Sequence, residues 1–237
     1  ETEPRFIKLF LALFLPFASF LLLAHFLFYY NNKYENNPVY PMGGVMFCSD
    51  ADLSGDSVIF LAHQWNFFPG KQYTPSDFNE KSVTGGTFLT LGSFGNFSLG
   101  STSEASNGTA TYRLTLSLPD TARTYSLYLP EIFSAYTLYL NEEKVCSQGN
   151  PDPAHYQDLI GNKEISFTAS GTVHITIIVT NYSHIYSGIT YPPAFGTVTA
   201  IQKYLSTRLF ISGITLAAIF LFAACSLFFF CRLKHNN

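Results

Sequence analysis

The stretch Ala110-Thr111-Tyr112-Arg113-Leu114-Thr115-Leu116-Ser117-Leu118 decides how this chain is read. In an extended backbone, Ala110, Tyr112, Leu114, Leu116 and Leu118 point one way, and Thr111, Arg113, Thr115 and Ser117 point the other. One apolar row at a period of two marks a strand with one face in a core and one face in water. Tyr125, Leu127 and Leu129 repeat the row up to Pro130, and Tyr136, Leu138 and Leu140 repeat it up to Asn141. Val173, Ile175, Ile177 and Val179 form a further row, with His174, Thr176 and Thr180 opposite, ending at Asn181. Weaker strand signals cover 58–62, 87–91, 163–168 and 196–202. About eight short strands bounded by turn residues, with no convincing amphipathic helix among them, predict an all-β sandwich and argue against a parallel α/β fold.

The flanks differ in kind. No Asp, Glu, Lys or Arg occurs from Leu9 to Tyr30 or from Leu209 to Cys231, and each run is long enough to cross a bilayer as a helix. A signal peptide is the competing reading of the first run, with Arg5 and Lys8 ahead of it. Its length and its passage into Phe26, Phe28, Tyr29, Tyr30 and Asn31 favour a retained span with an aromatic belt. His25 is assigned no role. Arg5, Lys8, Arg232 and Lys234 at the outer ends of the two runs, against Lys33, Lys203 and Arg208 on the central side, differ only by four to three. A central segment with many Tyr, Thr, Ser and Asn and few Lys, as in an exported domain, places the termini in the cytoplasm. The expected organisation is a cytoplasmic stub and membrane helix over 1–30, a linker over 31–57, an extracytoplasmic sandwich over 58–204, a membrane helix over 205–231, and a stub over 232–237. Two polar segments, Asn31 to Asn37 and the Gly/Ser/Asn-rich Gly92 to Gly108, are read as linkers.

Composition narrows the function. A net charge of -3 with no basic face argues against a nucleic-acid partner. Three triplets have the N-glycosylation pattern: Asn96-Phe97-Ser98, Asn107-Gly108-Thr109 and Asn181-Tyr182-Ser183. Cys225 and Cys231 lie in the second apolar run as small fillers or acylation sites. Cys48 and Cys146 lie in the exported segment, where a disulfide is possible but spacing does not decide it.

Asp50-Ala51-Asp52-Leu53-Ser54-Gly55-Asp56 opens like a calcium loop, but position twelve is Leu61, so it reads as a solvated acidic turn. His63, His155, His174 and His184 lack the spacing of a zinc site. No nucleophile motif is present, and nothing positions Glu131 with Glu142 or Asp158 as a carboxylate pair. No cofactor and no enzymatic activity of this chain are expected. For a small ligand the candidates are Trp65, Tyr112, Arg113, Asn141, Asn181, His184 and Tyr186. For most of them core packing, sheet-face placement or turn formation is the simpler reading; His184 and Tyr186, in a turn-rich loop, are the best functional candidates.

The order of these pieces resembles a known pattern. Ala110 to Leu116, then Tyr125-Ser126-Leu127-Tyr128-Leu129-Pro130, then Ala135 to Val145 and Gly149, is similar to galactose-binding-like jelly rolls, with Glu142 where glycine is usual after Asn141. Trp65-Asn66-Phe67-Phe68-Pro69-Gly70 upstream, and Val179 to His184, Ser187-Gly188 and Phe195-Gly196 downstream, resemble the extracellular domain of bacterial seven-transmembrane receptors with diverse intracellular signalling modules. The resemblance covers roughly 58–234. It implies a jelly-roll β-sandwich that binds a carbohydrate or other small extracellular ligand, with the run from Ser212-Gly213-Ile214 onward as the first of seven receptor helices and a kinase, cyclase or phosphatase module after them. This sequence departs from that pattern by stopping at Asn237, and with its two charge-free runs the expected fold is a jelly-roll β-sandwich flanked by two transmembrane α-helices. Membrane lipid and a second copy of the chain are the other expected partners. A non-signalling membrane-anchored surface or adhesion subunit is the alternative.

Overall fold

The computed structural model describes residues 7, 10, 14, 17, 18, 20–28, 32–35, 37–80, 82–91 and 106–235; in the last helix the side chains of 218, 221, 222 and 224–235 are not part of the description. Arg5, Lys8, Tyr29, Tyr30, the triplet Asn96-Phe97-Ser98, the 92–105 part of the glycine-rich loop and the side chains of Cys225, Cys231, Arg232 and Lys234 lie outside the described residues. The chain divides into two compact units, Glu1–Pro38 and Val39–Asn237. In the first, 20–28 is helical and is called α1.

Among the described residues the second unit holds eleven strands: β1 (Val45–Phe47), β2 (Ile59–Phe60), β3 (Trp65–Pro69), β4 (Thr87–Leu89), β5 (Gly108–Ser117), β6 (Arg123–Leu129), β7 (Ala135–Leu140), β8 (Glu143–Gln148), β9 (Lys163–Ala169), β10 (Thr172–Asn181) and β11 (Ala194–Thr197). Helix α2 (Pro75–Asn79) falls between β3 and β4, and α3 (Val198–His235) follows β11. The larger sheet runs β4-β3-β5-β10-β7-β8 and the smaller β2-β11-β6-β9. Pairing is antiparallel except at β1, which runs parallel to β5. One edge of β5 serves two partners: β3 along Ala110 to Arg113 and β1 along Thr115 to Ser117.

One core lies between the sheets. Leu114, Leu116, Ile175, Ile177 and Leu138 of the larger sheet and Leu127 of the smaller are all 0% exposed, as the alternating rows require. The outer faces are covered in different ways. On the smaller sheet, Tyr128, Ala194 and Ile201 form a second cluster with Val58, Phe60, Tyr204 and Leu205, so the start of α3 buries the face that alternation assigns to water. On the larger sheet the 71–80 segment lies across Thr111, whose Oγ1 donates to Lys71 O at 2.8 Å and accepts from Tyr73 N at 2.8 Å.

Several expectations are corrected. β1 forms inside the 31–57 linker, and Met46, Cys48 and Leu53 from that stretch enter the core. The strand expected over 196–202 stops at Thr197, whose Oγ1 accepts from Ala200 N at 3.2 Å and opens α3. The β7–β8 hairpin forms without glycine: Asn141 takes the left-handed conformation (φ 54°), and a register shift after Leu138 absorbs the mismatch.

Cys48 and Cys146 are free thiols; burial, with a smaller contribution from Asp52, pushes the Cys48 thiol up to about 12. Among the described residues no helix is long and apolar enough to cross a membrane, which does not support the two expected flanking spans.

Candidate functional site

At one end of the sandwich the 130–134 connection (β6 to β7) meets the 182–193 connection (β10 to β11). Ile132 anchors the first in the core, which leaves Phe133 turned outward and only half-buried. The His184 ring stacks on Phe133 with centroids 4.9 Å apart and planes 13° apart. Tyr186 and Tyr191 reach the same Phe133 ring at 6.0 and 6.3 Å, and His184 and Tyr186 meet at 5.4 Å. Four rings from two loops therefore form one patch. Its surroundings are unusually apolar for a surface: Tyr186 and Tyr191 are each 41% exposed, Tyr182 is 40% and Ile185 is 74%.

Asn181 holds this loop in place. Fully buried at the end of β10, its Nδ2 donates to Ser106 O (2.7 Å) and His184 O (2.6 Å), while Oδ1 accepts from His184 N (3.2 Å) and Tyr156 Oη (3.5 Å). His184 Nδ1 in turn accepts from Tyr186 N at 3.0 Å, which fixes the ring against Phe133. A second brace comes from the 149–162 connection, where Tyr156 packs edge-on to Tyr182 at 5.4 Å and Asp158 accepts from Ser183 Oγ at 2.9 Å. The buried hydroxyls of Ser134 and Ser187, each next in sequence to a ring of the patch, have no partner among the described residues.

The other sequence candidates fall elsewhere. Trp65 is 0% exposed, and its Nε1 donates to Leu61 O at 2.7 Å in the core. Tyr112 is also buried, packs on Phe67 at 4.9 Å, and carries a phenol whose pKa burial raises, with a backbone hydrogen bond at Ile189 acting against the rise. Arg113 lies on the outer face of the larger sheet, its guanidinium 4.0 Å from the Phe78 ring centroid, with Nη1 unpartnered and its pKa lowered by burial. Asn141 sits in the β7–β8 turn, at the other end of β7, and its Oδ1 accepts from His174 N at 2.8 Å. Only Asn181, His184 and Tyr186 are thus brought together. The buried amide of Asn181 is fully engaged, so the Asn181-Tyr182-Ser183 triplet presents no accessible asparagine.

Phe133 is the residue that sequence reasoning missed. Its signal was a large aromatic in a five-residue connection, but beside Ile132 it reads as core. The acidic stretch also has internal uses: Asp50 pairs with Arg123 at 2.6 Å, Asp52 accepts from Ser49, and Asp56 pairs with Lys203. Among the described residues no group of three or more His, Cys, Asp and Glu is placed to hold a metal ion. The patch offers π faces and a few polar edges, which suit a flat, partly apolar ligand with hydroxyls.

No family model matches the chain, and no curated protein matches it. Solved structures with a similar arrangement include glycosidases. Faecalibacterium prausnitzii β-glucuronidase is 14% identical over 58% of this chain and 31% of its own, with a TM-score of 0.45. An uncultured Clostridium sp. β-glucuronidase is 17% identical over 59% and 28%, with 0.43. A GH2 β-galacturonidase from Eisenbergiella tayi bound to galacturonate is 12% identical over 60% and 24%, with 0.41. The chain spans less than a third of each of these proteins. Likeness at this level carries no functional inference, and the sandwich described above stands on its own strand pairing.

Proposed function

We propose that this chain is the ligand-sensing part of a membrane receptor: a jelly-roll sandwich that binds a carbohydrate on the Phe133–His184–Tyr186–Tyr191 patch and is carried by membrane helices at 9–30 and 209–231. The observation that carries the binding half is the patch itself. A pyranose presents one face of C–H groups that lies against aromatic rings, and rings already held at fixed spacing lose little conformational freedom on binding.

The membrane half is supported by apolar surface. Leu209, Phe210, Ile211, Ile214, Leu216, Ile219 and Phe220 stand 37–76% exposed on successive turns of α3, and Phe20, Leu22 and Phe28 of α1 are comparably bare. Water disfavours such a surface and hydrocarbon does not. The signalling half is supported by short linkage, since only β11 separates the loop from α3. Ligand-dependent ordering of 182–193 would then bias α3, and a coupling of about 1 to 3 kcal/mol is enough for a receptor.

The test is a glycan array probed with the full chain in nanodiscs, alongside the Phe133→Ala and Tyr186→Ala variants. Wild type is expected to select a family of glycans, and each variant to lose at least about tenfold in affinity, on the order of one lost stacking contact, with an unchanged melting temperature. Absence of glycan binding by wild type, or full binding by both stable variants, rejects this site.

A further inference from the structure

A cavity of about 430 Å³ lies between α3 and the outer face of the smaller sheet, and none of the four rings of the aromatic patch lines it. Its wall is charged on both sides. Arg208 of α3 lines it, with Nη1 donating to Tyr128 Oη at 3.4 Å and Cζ 5.7 Å from the Tyr204 ring centroid. Glu164 of β9, paired across the sheet with Tyr128, lines it too; its Oε1 accepts from Ser126 Oγ at 3.0 Å, and it forms no ion pair among the described residues. Asn162 adds a polar edge beside Glu164, and Leu205 and Leu209 supply an apolar wall. The cavity thus offers a cation, a carboxylate not neutralised by it, and a greasy exit.

Position sharpens the reading. Arg208 is the last charged residue before the charge-free run that opens at Leu209. If that run crosses the bilayer, Arg208 lies at the depth of lipid phosphates, where arginine interacts with headgroups.

We propose that this cavity holds the headgroup of a zwitterionic phospholipid, phosphatidylethanolamine, and that the proposal rests on the membrane reading given above. The lipid phosphate takes charge-assisted hydrogen bonds from the Arg208 guanidinium. Its primary ammonium, with three N–H donors, is accepted by the Glu164 carboxylate and the Asn162 amide oxygen. The first acyl carbons lie along Leu205 and Leu209 toward the bilayer. A fully methylated choline lacks those donors, and an anionic glycerol headgroup meets Glu164 as a like charge.

The experiment uses the full chain in nanodiscs of equal phosphatidylethanolamine, phosphatidylcholine and phosphatidylglycerol, followed by native mass spectrometry of the lipids retained on release. Wild type is expected to keep phosphatidylethanolamine in excess over the other two. Arg208→Gln lowers retention of all three lipids, and Glu164→Gln lowers phosphatidylethanolamine about tenfold, as loss of one charge-assisted contact implies, while leaving phosphatidylglycerol unchanged or higher. Equal retention of the three lipids by wild type, or an ethanolamine preference that survives Glu164→Gln, overturns the headgroup site and leaves annular lipid only. Carbonate extraction of membranes separates the two readings. A chain released into the aqueous phase overturns the membrane reading and this site together; a chain that stays in the pellet without lipid preference overturns the site alone.

Discussion

β10 and the loop that follows it have similar apolar content and opposite fates. In Thr172–Asn181 the residues Val173, Ile175, Ile177 and Val179 are sealed in the core, and Thr176 and Thr180 on the opposite face are buried as well. Immediately after Asn181 the chain exposes Tyr182, Ile185, Tyr186 and Tyr191. The strand spends its apolar surface on folding, whereas the loop leaves its own available for a ligand. Asn181 is the junction, its backbone paired with Gly108 of β5 and both ends of its side chain closing the loop at His184.

The largest effect should come from the strand. Ile177 is fully buried between the β5 and β7 partners Tyr112 and Leu138. Ile177→Ala should cost about 2 to 5 kcal/mol of stability, through lost transfer energy and a residual cavity. Denaturant unfolding of the full chain in detergent measures it. A loss below about 1 kcal/mol would mean that strand and loop do not differ in the way their burial indicates.

Asn181→Ala sits between the two regimes. It removes two donated hydrogen bonds and leaves the Ser106 and His184 carbonyls unpaired, so about 1 to 3 kcal/mol is expected. Glycan binding should fall with it even where the protein remains folded, because His184 loses the contact that holds it against Phe133. Retained binding in a folded Asn181→Ala protein would show that the loop keeps its shape without its clamp.

The core rows were legible because burial on one sheet face imposes a period of two, and Leu114, Leu116, Leu127 and Ile175 follow it without exception. Legibility failed where a second layer covers the outer face. β3 went unread because Phe68 is buried from the outside by Tyr73 and Phe78, at 5.5 Å each, which breaks the alternation in Trp65–Pro69. β11 was drawn too long because Val198 and Thr199, both β-branched, favour a strand, whereas Tyr204 and Leu205 packing on Tyr128 and Phe60 favours a helix. At the site, turn chemistry pointed to His184 and Tyr186 but not to Phe133. Stacking between loops distant in sequence leaves no local pattern.

The smallest effect is predicted on the outer face of the larger sheet, where Arg113 contrasts with both regions by being half-buried and unpaired. Its guanidinium gains a cation–π contact with Phe78 but leaves Nη1 without a partner and forms no ion pair among the described residues. A contact of that kind contributes about 0.5 to 2 kcal/mol, and partial desolvation of the charge opposes it with a similar size. Arg113→Met, which retains the stacking bulk, should therefore change stability at neutral pH by less than about 1 kcal/mol in either direction.

The acid side should respond differently. Burial first, and the Arg113 charge second, lower the His174 pKa from its ordinary 6.5. A base with a lowered pKa in the folded state binds fewer protons there than in the unfolded chain, so stability is full above the unfolded value and falls as pH drops through it. Removing Arg113 removes the second cause and leaves the first. The melting temperature of Arg113→Met should thus fall less steeply than that of wild type from about pH 7 to pH 5. Parallel curves would mean that Arg113 does not act on His174. A steeper fall in the variant would mean that Arg113 holds this face together, against the balance drawn from its missing partner.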